Sequence, residues 1–247
     1  MNEDTRPGCL LKFFEKQYVD NFITRGELHF SQLGYFIDLE NGDDAIADSF
    51  EGARIMNIDP TRSGVSVVVN GMKLPFQKGD IIQTKETPDW VKSKGVLSMV
   101  NLDVFNDFDG RACPDGTIEY AIKPTVIDEL NKLSANKTRV PVIINADGLL
   151  ARLEENFKPR HAWFKPVSYY SESATENISN EELIKHPEQI MFLKREKYRY
   201  QREARISYFE DVPENGKSIW IGDLSSSTYK LSPDDGLNNF KIKWTKS

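Results

Sequence analysis

Lys197-Tyr198-Arg199-Tyr200-Gln201-Arg202-Glu203-Ala204-Arg205-Ile206-Ser207-Tyr208-Phe209 is the stretch on which the fold turns. Its side chains alternate in character with a period of two, the signature of a strand with two unlike faces. Tyr198, Tyr200, Ala204, Ile206 and Tyr208 fall on one face, with Arg202 among them. Arg199, Gln201, Glu203, Arg205 and Ser207 fall on the other. The first face suits a core. The second sets an amide and a carboxylate between two guanidinium groups, as either a solvated face or the wall of a site.

Upstream, the pattern alternates short strands with short helices. Leu10–Phe14 reads as a buried first strand, and Glu15–Thr24 as a helix closed by Gly26. Glu27–Phe30 reads as a strand, with Ser31 capping a helix over Gln32–Glu40. Asn70-Gly71 between apolar runs predicts a hairpin. Val96–Leu102 and Val140–Ile144 read as buried strands, and Asn106–Gly116 as loop. Thr125 and Asp147 are expected to cap helices, and Ser179 a third that Pro187 interrupts. Ser218–Ile221, Thr228–Leu231 and Phe240–Trp244 are expected to close a meander. Strict β-α alternation is missing. The expected fold is therefore α+β: one domain over residues 1–247, with a mixed, mostly antiparallel sheet, split or continuous, and a few short helices.

Composition bounds the function. Of 247 residues, 39% are hydrophobic and 28% charged, which is ordinary for a globular chain. No apolar run is long enough to span a bilayer, and Met1–Gly8 does not read as a signal peptide, so a cytoplasmic location is expected. Two distant cysteines, Cys9 and Cys113, read as reduced and structural. A net charge of −6 gives the whole chain no pull toward nucleic acid. There is no glycine-rich phosphate loop, no Gly-x-Ser-x-Gly elbow, and no histidine–cysteine spacing suited to zinc.

Two constellations carry chemistry. Asp38, Glu40, Asp43, Asp44, Asp48 and Glu51 are close in sequence and could offer oxygens to a divalent cation, though without EF-hand spacing; the bland reading is a solvated acidic loop. The other is Gln201-x-Glu203. Two residues along a strand stand about 6.6 Å apart on one face. A carboxylate there can stabilise a cationic transition state, and an amide can orient a substrate. Glu203 with Glu51 or Asp48 would also fit a two-carboxylate glycosidase if the fold brought them together. Asp48 or Glu51 is further expected to pair with Arg202 or Arg205, since charges in apolar surroundings need partners.

The Gln201-x-Glu203 pair resembles the late-strand signature of ADP-ribosyltransferases. That resemblance implies Glu203 as the catalytic carboxylate acting on NAD, with Gln201 orienting the substrate. It implies Tyr35 stacking on nicotinamide, and Lys12, Ser31 and Arg205 on the dinucleotide side. Ser31 and Tyr35, or Ser98, could fill the family's middle Ser or Tyr position. Lys12 departs from the family, which carries Arg or His on the early strand. The chain also resembles an uncharacterised family of bacterial and phage proteins. The resembling pieces include Leu11-Lys12-Phe13, Gly26-Glu27-Leu28-His29-Phe30, Asp48-Ser49-Phe50-Glu51-Gly52 and Tyr200-Gln201-Arg202-Glu203-Ala204-Arg205-Ile206. Ala204 departs there from a commoner aromatic residue. That resemblance implies a role in phage–host conflict and supplies no activity. The alternative to an NAD-using toxin is a non-catalytic protein that binds a partner. Targets, whether protein or nucleic acid, stay open, and so does a metal-dependent nuclease built on the acidic loop.

Overall fold

A forked antiparallel sheet carries the fold. The computed structural model describes residues 9–38, 48–62, 64–134, 138–157 and 161–244. Among them the main sheet has eight strands: β1 (Cys9–Phe14), β2 (Glu27–Gln32), β3 (Lys94–Leu102), β4 (Val140–Ile144), β5 (Ala162–Pro166), β6 (Glu203–Asp211), β7 (Lys217–Trp220) and β8 (Thr228–Lys230). The chain is α+β, with smaller two- and three-stranded sheets and short helices around this one.

β3 is the stem of the fork. Along one edge it pairs with β6, from Glu203 opposite Val100 to Tyr208 opposite Gly95, and β5 lies outside β6. Two strands share the other edge. β1 pairs with Val100, Asn101 and Leu102, while β2 pairs with Gly95 and Val96. Leu97, Ser98 and Met99 lie between them, with no ladder partner on that side among the described residues. β1 runs on into β4 and β8, and β2 into β7, so the sheet opens into two arms at Ser98.

Alternation along β3 and β6 explains the layering. Leu97, Met99, Ala204, Ile206 and Tyr208 bury one face in the main core. That core is closed by the helix Val19–Arg25 through Val19 and Phe22, and by the helix Ala146–Asn156 through Ala146, Leu149 and Leu153. Burial of such large apolar side chains contributes roughly 1.5–3 kcal/mol each. The opposite face is divided. Val100 joins Leu11, Leu102 and the helix Pro124–Leu133 in one apolar cluster. Val96 joins Leu33, Ile55, Val91 and Ile190 in another. Ser98, between Val96 and Val100 on the same face, marks a polar seam between the two clusters.

The decisive stretch departs from its sequence reading over Lys197–Arg202, and the break turns on one residue. Glu196–Gln201 is a 3-10 turn, and the strand begins only at Glu203. Arg202 joins them in the left-handed region (φ 46°), closing the turn with its N–H on the Arg199 carbonyl at 3.0 Å. Its side chain leaves the core and reaches Asp107 at 2.8 Å and Glu129 at 2.5 Å. These two acids compensate a backbone conformation that non-glycine residues rarely adopt. The period-two reading therefore holds from Glu203 onward and fails before it.

Other expectations divide. Gly26 caps its helix in the left-handed conformation, and Ser179 accepts the Glu182 N–H. The Asn70-Gly71 hairpin forms between Val68–Val69 and Met72–Lys73. Ser31 is not a cap: it is the fifth residue of β2, because pairing with Val96 holds it extended. Asn145 rather than Asp147 caps the helix that follows it, accepting the Gly148 N–H, and Lys123 takes the place expected of Thr125. The expected loop Asn106–Gly116 contains the strand Phe108–Ala112. The last three strands form no meander; they pair separately with β2, β4 and Ile118–Ile122.

Candidate functional site

The seam opens into a cavity of about 510 Å³ at the fork of the sheet. All six side chains singled out from the sequence line it: Lys12, Ser31, Tyr35, Gln201, Glu203 and Arg205. They arrive from five elements. Lys12 comes from β1 and Ser31 from β2, the two arms. Glu203 and Arg205 come from β6 through the stem, and Tyr35 from the short helix Leu33–Asp38. Gln201 reaches the cavity from the 3-10 turn, buried, and not by standing two residues along a strand from Glu203.

Glu203 is the centre of a buried charge network. Its Oε1 accepts from Arg205 Nε at 2.5 Å and from the Ser98 hydroxyl. Its Oε2 accepts from Lys194 Nζ at 2.8 Å. Arg205 continues to Glu51 and donates to the Met191 carbonyl at 2.6 Å. Lys194 also lies 3.7 Å from Glu51. Two carboxylates and two cations thus neutralise one another with almost no solvent contact. Burial alone would raise the Glu203 carboxyl, but Arg205 and Lys194 outweigh it and hold the group well below the usual carboxylate range. The same carboxylates raise Lys194 and Arg205 against their own desolvation. Glu203 is accordingly ionised throughout the physiological range.

The expected pairing of the acidic segment with the late strand is present in part. Glu51 meets Arg205, while Asp48 meets Arg195 at 2.7 Å and not Arg202. Glu40, Asp43 and Asp44 lie outside the described residues. Among the described residues no three His, Cys, Asp or Glu side chains are grouped to hold a metal ion.

Across the fork the chemistry changes. Lys12 donates to the Ser98 carbonyl at 2.9 Å, bridging the gap where the ladder is interrupted. Burial and the nearby Arg139 guanidinium depress Lys12 to about 8, against the opposing pull of Glu203. Arg139 and Lys132 line the same end of the cavity. Tyr35 is exposed at the mouth, edge-on to Phe36 with ring centroids 5.3 Å apart.

Sequence reasoning missed three contributors. Lys194 lies in a three-residue strand, Leu193–Arg195, that the basic run concealed. Lys132 and Arg139 flank the turn between the helix Pro124–Leu133 and β4, where nothing in the local pattern separates them from surface cations. Ser98, already a candidate for the middle Ser or Tyr position, lines the cavity as the lone hydroxyl of an apolar strand. No helix among the described residues is long and apolar enough to cross a membrane. No family model, curated protein or solved structure matches this chain.

Proposed function

We propose that the cleft at the fork binds NAD and that the chain is an ADP-ribosyltransferase-like enzyme with Glu203 as its catalytic carboxylate. The observation that carries this reading is the Ser98–Glu203 hydrogen bond between β3 and β6, made where the opposite edge of β3 is open. It joins a hydroxyl of the middle strand to a carboxylate of the late strand that Arg205 and Lys194 hold ionised, with Lys12 of the first strand across the gap. In this reading these groups hold a ribose while its C1′–N bond breaks.

The ribose hydroxyl displaces the Ser98 hydroxyl, a neutral donor to Glu203 Oε1. Arg205 and Lys194 stay in place and fix the carboxylate. Negative charge then faces the oxocarbenium-like centre as nicotinamide leaves with the bonding electrons. Tyr35 offers a ring for nicotinamide, and Gln201 an amide beside the ribose. The acceptor, a nucleophile on a protein or nucleic acid, or water, bonds to C1′ and loses its proton.

The test is nicotinamide release from NAD by the purified full chain, with and without a bacterial lysate as acceptor source, followed by mass spectrometry. Ser98→Ala keeps every charge and removes a hydroxyl that competes with the ribose for Glu203, so turnover is expected to hold or rise, while Glu203→Asp is expected to slow it by about 10²-fold or more. No nicotinamide release together with no thermal shift at millimolar NAD would overturn the reading.

One observation favours a second reading, a non-catalytic protein that binds a protein partner. The Asn70-Gly71 hairpin projects with Val65, Val68, Val69, Met72 and Leu74 all exposed. Contiguous exposed apolar side chains of this kind mark interaction surfaces. Shortening the hairpin to its turn would abolish partner capture under this reading and leave NAD turnover by the isolated chain unchanged under the first.

A further inference from the structure

The cavity is electrically lopsided. Three carboxylates line it: Glu51 and Glu203, which are consumed by Arg205 and Lys194, and Glu15, which is exposed at the rim. The other end holds Lys12, Lys132 and Arg139, and none of these three makes an ion pair with a carboxylate among the described residues. Among the described residues Lys132 meets the face of Tyr200, at 5.7 Å, and Lys12 the Ser98 carbonyl and the face of Phe14, at 5.5 Å. Lys12 and Arg139 repel one another across the cavity wall, and Lys132 adds a third positive charge from its exposed rim. Surface lysines ordinarily diverge into water. Here β1, the C-terminus of the helix Pro124–Leu133 and the entry to β4 bring two lysines and an arginine to the wall of one cavity.

We infer that Lys12, Lys132 and Arg139 form an anion subsite that takes the diphosphate of a phosphorylated ligand. A guanidinium presents a planar fork to phosphate oxygens, while two ammonium groups act as point charges at its flanks. The subsite shares the cleft of the proposed function but does not need its transfer chemistry. A diphosphate there would leave the rest of a dinucleotide free to reach Ser98 and Glu203.

Inorganic pyrophosphate and ADP-ribose are the probes, titrated calorimetrically into the intact chain at two salt concentrations. Both are expected to bind, more weakly at high salt. Arg139→Met and Lys132→Met are each expected to weaken binding roughly ten- to a hundred-fold. Because each removes a repelling charge, the ligand-free melting temperature is expected to stay level or rise. A purely structural role would lower it instead. Wild-type chain that binds neither probe, or variants that bind as wild type does, would overturn the inference. Pyrophosphate binding without any NAD consumption would leave the subsite standing and remove only the ADP-ribosyl reading. NAD consumption unaffected by both variants would remove only the subsite.

Discussion

Glu203→Gln is the sharpest perturbation of the charge network. The amide has nearly the shape of the carboxylate, so packing on β6 is preserved. The substitution leaves one carboxylate, Glu51, against Lys194 and Arg205 in a site with almost no water. It also converts two charge-assisted hydrogen bonds into weaker ones or repulsive contacts. Breaking one partner of a buried ion pair costs about 3–5 kcal/mol. For a chain of this size about 2–4 °C of melting temperature is lost per kcal/mol. The expected drop is therefore about 6–20 °C at neutral pH, read by calorimetry. The folded-state pKa of Glu203 is lowered, so the stability it contributes is fully present above its unfolded pKa of about 4.3. That contribution fades as pH falls below this value toward the folded pKa. The gap between wild type and variant should be flat from pH 7 to about 5 and narrow below that. Adding Lys194→Met restores neutrality with Arg205 and Glu51 still paired, and should recover a large part of the loss. A drop smaller than about 2 °C, or a gap that widens as pH falls, would refute the assignment of Glu203 as the ionised centre of the network.

Three further outcomes follow from local geometry. Gly95→Ala should cost about 1–3 kcal/mol, since its new methyl would lie 2.8 Å from Val212 Cγ2 and 3.1 Å from Phe30 Cβ; the urea midpoint measures it. Arg202→Ala should destabilise more than Arg202→Gly by about 1 kcal/mol, because both lose the Asp107 and Glu129 pairs but only alanine is strained at φ 46°; paired denaturant curves give the difference. A thiol reagent should titrate one cysteine quickly, Cys113, and the second only on unfolding, because burial pushes Cys9 up to about 12.

Much of the site was legible before the fold because its residues carry their roles in type and order. Glu203, Arg205 and Ser207 alternate with Ala204, Ile206 and Tyr208, and period two assigns the faces correctly. Lys12, in the apolar first strand, stands out because a buried or edge position must explain its charge. The fork itself was not legible. It depends on β1 and β2 both choosing the same edge of β3, and strand pairing is a tertiary decision that no local pattern encodes. Arg202 defeated the alternation because nothing within the stretch announces a left-handed arginine; its compensation comes from Asp107 and Glu129, about 70 to 95 positions away in the chain. Ser31 misled for a related reason. Its hydroxyl has the chemistry of a cap, but pairing with Val96 claimed its backbone first.

The charge network is costly to keep for stability alone. Four ionised groups lose most of their hydration here, and mutual attraction does little more than offset that loss. Well-packed apolar replacements of similar volume are often neutral or more stable by about 1–4 kcal/mol. On either side of the seam the same sheet face already supports such packing, in the clusters around Val100 and Val96. A fold selected only to be stable could therefore close the seam with leucine and methionine. The network instead borders the cavity at the fork, where it holds a carboxylate ionised and immobile. Replacing the quartet together (Glu51→Leu, Lys194→Met, Glu203→Leu, Arg205→Met) separates the two explanations. If the network serves a ligand, this variant should fold with a melting temperature at or above wild type while NAD-dependent thermal stabilisation disappears. If it serves the fold, the variant should melt lower or fail to fold, and the seam would then be a structural device.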